Sequence, residues 1–507
     1  MATASMSVQD ALWLTMDRPN NLMVVDGAMV LRGTPTMDEL RAVLEDAVQR
    51  FPVLGRKAVK AGLGWAWQDD PDFDIDRHIH RVELEPGLGV DELQRFMAEQ
   101  RSQPLPKDRP LWVAYLLTPI TLADGTQGSA WMSRFHHAIA DGVRLTQLIL
   151  GLCEGDEKAV AAVVARQGVE SGEAVNPVEE VGRVVVNAAE EVAQAVEHGV
   201  GEVATEAAHA ARNPLSALAG LPGLALDVAR AGVHQVEEGL SLIKHPDRLL
   251  DALEVLGVEQ HRSLNDLSSV TKITLTTTEE TVWSGQPGEE KAVAWSPQIP
   301  LRDIKVLGTA TGTTLNDVLL AAIAGGLQRF LAEHGEELRE VTWMVPVNLK
   351  PFEENLPPDL GNYFALIFLP MPLDESDIQE RLDVIHQRMQ RIKNSDEAVL
   401  TFGLQRMVSM SPSQIAFFLT NFFANKAVGV LSNVPGPTGL LTFAGVEVDQ
   451  VVGFAPCSGD QPMTATIFSY NGGITFGFAT DASLLADPDT LVDYVMEELD
   501  RMRAELT

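Results

Sequence analysis

Two cysteines, Cys153 and Cys457, are all that the 507 residues contain. That excludes a disulfide framework and any multi-cysteine metal site, and suits a reducing cytoplasm. Basic residues are also short: 38 Lys and Arg stand against 71 Asp and Glu, a net charge of -33. Such a surface repels phosphates, which argues against a nucleic acid partner, and it gains little attraction from an anionic bilayer. No run of about twenty uncharged apolar residues is present, so no transmembrane helix is expected. Residues 1–9 lack the basic stretch and apolar core of a secretory signal. A G-x-S-x-G elbow, a phosphate-cradling G-x-x-x-x-G-K-[ST] loop and a G-x-G-x-x-G fingerprint are absent. Their absence argues against a serine lipase and against the common nucleotide-binding folds. The expected setting is the cytoplasm, and with this charge any lipid partner would have to be reached through apolar contact.

What is present is an ordinary globular composition, 45% hydrophobic and 21% charged. A single core rarely grows past ~300 residues, so two large domains are expected. Apolar runs at 23–31, 111–117 and 128–135 predict strands, and helical spacing predicts helices over 37–51 and 143–153. From about 157 to 257 the chain turns rich in Ala, Val, Glu and Gly, with breaks at Asn213-Pro214 and Leu221-Pro222-Gly223. This reads as two or three linking amphipathic helices, and alternatively as a lipid-facing surface. Beyond it, 304–331 is helical with an interruption at Gly312, 377–393 and 489–506 are helices, and 341–347, 363–371, 427–433 and 473–479 are strands. The expected division is 1–155, 156–263 and 264–507.

The sharpest chemical feature is His136-His137-Ala138-Ile139-Ala140-Asp141-Gly142, directly after a predicted strand. An imidazole titrates near neutrality and can take a proton from a hydroxyl. Asp141 can hold the turn in shape, and Gly142 allows backbone angles or a close approach that a side chain would forbid. A metal site is the weaker reading, because no further His or Cys cluster lies nearby. Asn316, after Thr313, Thr314 and Leu315, stands at a helix start. It suits either an N-cap or an amide that helps bind an oxyanion, and Asp317 suits support of the same helix start. Ser432 and Asn433 precede a Pro-Gly-Pro turn that is either structural or shapes a channel. Cys457 reads as a small buried residue and not as a nucleophile.

The seven-residue motif resembles the H-H-x-x-x-D-G signature of the coenzyme A-dependent acyltransferase superfamily, which includes condensation domains and chloramphenicol acetyltransferase. Other segments narrow the resemblance to bacterial wax ester synthase/diacylglycerol acyltransferases. These are Asp10-Ala11-Leu12-Trp13, Asn21-Leu22-Met23, Pro110-Leu111-Trp112, Asn316-Asp317-Val318-Leu319-Leu320-Ala321, Ser432-Asn433-Val434-Pro435-Gly436-Pro437 and the strand at 472–479. The resemblance covers most of the chain outside 157–257.

It implies an α/β fold of two similar mixed-sheet domains of the chloramphenicol acetyltransferase-like type, with the active-site channel between them. It implies acyl-CoA as co-substrate, no other cofactor, and diacylglycerol or a long-chain alcohol as acceptor, giving triacylglycerol or wax ester. His137 is then the general base, His136 and Asp141 are mainly orienting, and Asn316 assists the oxyanion. Membrane or lipid-droplet surfaces are the partners such substrates suggest. Transfer to another acceptor, and a non-catalytic lipid-droplet binding protein, are the two alternatives.

Overall fold

The computed structural model describes residues 3–62, 64–155, 280–348, 356–393 and 413–507, together with Glu397, Thr401, Gln405, Val408 and Ser409. The expected linker at 156–263 lies outside the described residues. The sheets below belong to one compact unit.

The first stretch runs β1 (Thr3–Ser5), α1 (Val8–Met16), β2 (Val24–Leu31), α2 (Met37–Arg50), β3 (Arg56–Ala61), β4 (Gly64–Asp69), β5 (Ile79–Glu83), α3 (Val90–Arg101), β6 (Trp112–Thr121), β7 (Gln127–His136), α4 (Gly142–Gly151) and β8 (Glu154–Gly155). Local chemistry sets the helix starts. Ser7 caps α1 by accepting from Asp10 N, and Thr36 with Glu39 forms a reciprocal capping box on α2. The second stretch runs β9 (Lys291–Trp295), β10 (Ile299–Pro300), α5 (Leu301–Thr311), α6 (Leu315–Glu333), β11 (Glu340–Asn348), β12 (Phe364–Pro372), α7 (Ile378–Lys393), α8 (Ser413–Ala424), β13 (Gly429–Pro435), β14 (Leu441–Phe443), β15 (Val446–Phe454), β16 (Met463–Tyr470), β17 (Gly473–Asp481) and α9 (Pro488–Leu506). Gly312, at φ 68°, ends α5 in the left-handed conformation, which is the break expected at that position.

Among the described residues the strands form two seven-stranded mixed sheets and a small three-stranded one. The first large sheet has the order β5-β6-β7-β2-β15-β14-β8, with β5 and β6 parallel and β7, β2 and β15 antiparallel. The second has the order β10-β17-β16-β13-β11-β12, with β9 also on β17, and β13 runs parallel to both β11 and β16. This is the expected α/β architecture of mixed sheets. One feature was not legible: β14 and β15, from the second stretch, complete the first sheet.

Of the described helices, α6 alone is long and apolar enough to cross a membrane, yet most of it is buried in the protein. It packs against α9 so closely that a side chain at Gly326 would strike Val495. A side chain at Gly325 would strike the buried Arg381–Glu498 ion pair.

Candidate active site

The two large sheets face one another across a cavity. One wall comes from β2, β7, β15 and α4, and the other from β11, β12, β13 and β16. Met29, Trp131, Ile149, Met344, Leu366 and Val430 give most of it an apolar lining, and His137, Asp141, Ser432 and Asn433 are among its polar groups. A mostly apolar cleft with a few convergent polar groups is the usual form of a site for an apolar ligand.

Strand β7 ends at His136, and the loop that follows carries His137 into this space. His136 N bonds to Leu111 O and His137 N to Met23 O, so both backbones are pinned. The neighbouring rings have different fates. His136 lies in the interior, where its Nδ1 accepts from Ala138 N and its Nε2 stands 3.9 Å from Asp17. His137 borders the cavity, stacked on the indole of Trp13 at 4.1 Å with Phe364 at 5.7 Å. Its Nδ1 lies 2.8 Å from Asn362 Oδ1. Burial pushes both histidines down to about 4, so at neutral pH the rings are uncharged. A general base has to start in that form.

Asp141 does not reach the imidazole. One carboxylate oxygen caps α4 by accepting from Arg144 N, and the other accepts from Tyr363 N. Backbone bonds between Asp141 and Gly361, and between Gly361 and Ile139, run alongside. Asp141 therefore ties the loop after β7 to the segment that leads into β12.

Gly142 differs from expectation. A Cβ built there meets nothing within 4 Å, and no positive φ demands glycine. The residue borders the cavity, so the space its missing side chain leaves is cavity space.

Asn316 is in the first turn of α6, but the cap is Thr314, whose hydroxyl and backbone pair with Asp317 in a capping box. Asp317 also accepts from His386 Nδ1, so it supports the helix start as expected. Asn316 Oδ1 accepts from Asn433 Nδ2 at 2.8 Å, and Asn433, not Asn316, lines the cavity. The structure thus brings His137, Asp141 and Asn433 to one cavity and places His136 and Asn316 behind it. Cys457 borders the cavity too, but burial pushes its thiol up to about 11, which leaves it protonated. No described group of His, Cys, Asp and Glu is arranged to hold a metal ion.

Three residues around His137 were missed: Asn362, Asp10 and Trp13. Asn362 is buried and donates through Nδ2 to Asp10 Oδ1 and to the His137 carbonyl. Burial pushes Asp10 up to about 6. Asp10 and Trp13 belong to the Asp10-Ala11-Leu12-Trp13 segment that carried the family resemblance without pointing to any chemistry. Asn362 follows Leu360 and Gly361, both at positive φ (48° and 83°). A leucine there is unusual, and such backbone gathers at functional sites, but sequence does not display it.

Two family profiles match the chain in order: the wax ester synthase/diacylglycerol acyltransferase catalytic domain over residues 6–231 and the WS/DGAT C-terminal domain over residues 360–503. A putative diacylglycerol O-acyltransferase of Mycobacterium tuberculosis is 25% identical, over 96% of this chain and 87% of its own. A probable diacylglycerol O-acyltransferase of the same organism is 23% identical, over 86% and 81%. Among solved structures, the wax ester synthase/diacylglycerol acyltransferase from Marinobacter aquaeolei VT8 superposes with a TM-score of 0.62 at 17% identity, covering 99% of both chains. The first condensation domain of the CDA synthetase gives 0.56 at 15% identity, covering 100% of this chain and 97% of that one. With both profiles of one family matching in sequence order, this chain belongs to the wax ester synthase/diacylglycerol acyltransferase family.

Proposed function

We propose that the protein transfers a long-chain acyl group from acyl-CoA to the hydroxyl of diacylglycerol or a long-chain alcohol, with His137 as general base. The observation that carries this reading is an uncharged imidazole at the wall of an apolar cavity, with one nitrogen tethered and the other bonded to no described residue. Nε2 takes the hydroxyl proton as the oxygen attacks the thioester carbonyl. The tetrahedral oxyanion is held by donors of the opposite wall, with Asn433 at the cavity and Asn316 acting through it. Collapse breaks the carbon–sulfur bond, and the proton on the imidazolium goes to the coenzyme A thiolate. No covalent acyl-enzyme forms, and acyl-CoA is the co-substrate with no further cofactor. His136 and Asp141 hold the loop. The apolar substrates place the work at a cytoplasmic membrane or lipid-droplet surface.

The experiment is to incubate the protein with palmitoyl-CoA and, in turn, diacylglycerol, hexadecanol and a long-chain amine, following free coenzyme A and separating the lipids. Acceptor-dependent release with triacylglycerol or wax ester formed supports the reading. Release only with the amine moves the acceptor class. Tight acyl-CoA binding without release with any acceptor contradicts an enzymatic role.

A further inference from the structure

We infer that Asn362 and Asp10 are positioning residues that fix His137 in its Nδ1–H tautomer and so reserve the Nε2 lone pair for the acceptor hydroxyl. This rests on, and deepens, the reading of His137 as the base.

An asparagine amide has an accepting oxygen at one end and a two-proton donor at the other, and partners decide which end is which. Asn362 Nδ2 faces two acceptors, Asp10 Oδ1 at 2.8 Å and the His137 backbone carbonyl at 2.9 Å. The carbonyl can never donate. Asp10 donates only when protonated, and at about 6 its carboxyl is ionised at neutral pH. Turning the amide over would set its oxygen against both of these acceptors. The orientation is therefore fixed, and Oδ1 is the end that meets His137 Nδ1 at 2.8 Å. An oxygen acceptor in that position requires a donor, so Nδ1 carries the proton. In the neutral ring Nε2 is then the basic nitrogen.

The backbone is built to deliver this amide. Leu360 and Gly361 turn at positive φ, Gly361 pairs with Ala140, and the Arg144 guanidinium holds the Leu360 carbonyl. Neither Asn362 nor Asp10 lines the cavity. They act on the substrate only through the imidazole, and a purely structural cross-link would leave the tautomer free.

The test uses the full chain labelled with ¹⁵N-histidine, with the His137 signals identified by their disappearance in His137→Ala. At neutral pH the expected wild-type spectrum has a protonated Nδ1 and a pyridine-like Nε2. Asn362→Leu is expected to mix the tautomers and lower kcat by roughly 10²-fold with KM little changed. Asp10→Asn keeps an oxygen acceptor and should keep the Nδ1–H signal, whereas Asp10→Leu leaves the His137 carbonyl as the one remaining acceptor and should reduce it. A wild-type ring protonated on Nε2, or an unchanged tautomer in folded Asn362→Leu, overturns the proposal. Should Asn362→Leu fail to fold, the two Asp10 variants decide, and identical tautomer populations in both contradict it. Failure of the base assignment itself would appear separately, as full turnover in His137→Ala.

Discussion

The two walls of the cavity are built from different chemistry. The wall on the first sheet carries buried ionisable groups: His137 and Asp141 in the loop after β7, and Asp26 on β2. Asp26 is clamped by Arg101 at 2.6 Å and Arg134 at 2.9 Å. The opposite wall offers Ser432, Asn433 and Thr466, which are neutral. On the reading proposed above, the difference separates two demands of acyl transfer. A proton must be taken at one place, and a negative oxygen must be held at another without a second base competing for that proton. The segment leading into β12 joins the walls, since Asn362 and Tyr363 reach across to His137 and Asp141.

The sharpest way to probe this contrast is through stability. Asp26→Ala leaves two buried guanidiniums without their carboxylate and should cost about 3–5 kcal/mol in urea unfolding. Ser432→Ala, on the neutral wall, should stay within about 0.5 kcal/mol. Equal costs would erase the distinction. Next in size is the oxyanion. Asn433→Ala should lower kcat by roughly 10²–10³-fold and Asn316→Ala by less, because it acts through Asn433. Unchanged kcat with a lowered melting temperature would leave that wall merely structural. Smaller again is Gly142→Val, which should fill cavity space and reduce kcat/KM on the order of tenfold with melting unchanged. A lowered melting temperature would show that glycine is needed by the backbone after all.

A pH slope probes the ionisable wall in a different way. His136 and His137 titrate near 4 when folded and near 6.5 when unfolded, so between these values the unfolded chain binds more protons. Stability therefore falls as pH drops from about 6.5 to about 4. Asp10, at about 6 against 3.8, binds its proton earlier when folded and opposes the trend over part of that window. His136→Asn should lower the slope of unfolding free energy by at most ~1.4 kcal/mol per pH unit. An unchanged slope would mean that His136 is not buried uncharged.

The fold was largely legible because its core strands are long apolar runs and its helices carry clear stripes. Strand β7 running into His136, the break at Gly312 and the helix from Pro488 to Leu506 all follow from periodicity and caps. The crossover of β14 and β15 into the first sheet was hidden, since pairing Val448 with Leu31 is a tertiary choice that periodicity does not encode. The site shows the same divide. The histidine pair stood out because its members are adjacent in sequence. Asn362, 225 residues away, touches the ring through the fold alone. Asn316 was noticed for its place at a helix start, but Thr314 does the capping and Asn433 meets the cavity.

The measurement that bears most directly on the whole account is kcat for His137→Ala with palmitoyl-CoA and diacylglycerol, taken alongside its thermal melt. A loss of roughly 10²–10⁴-fold in a protein that melts like wild type is the predicted result. Turnover at the wild-type rate would contradict the assignment of the base.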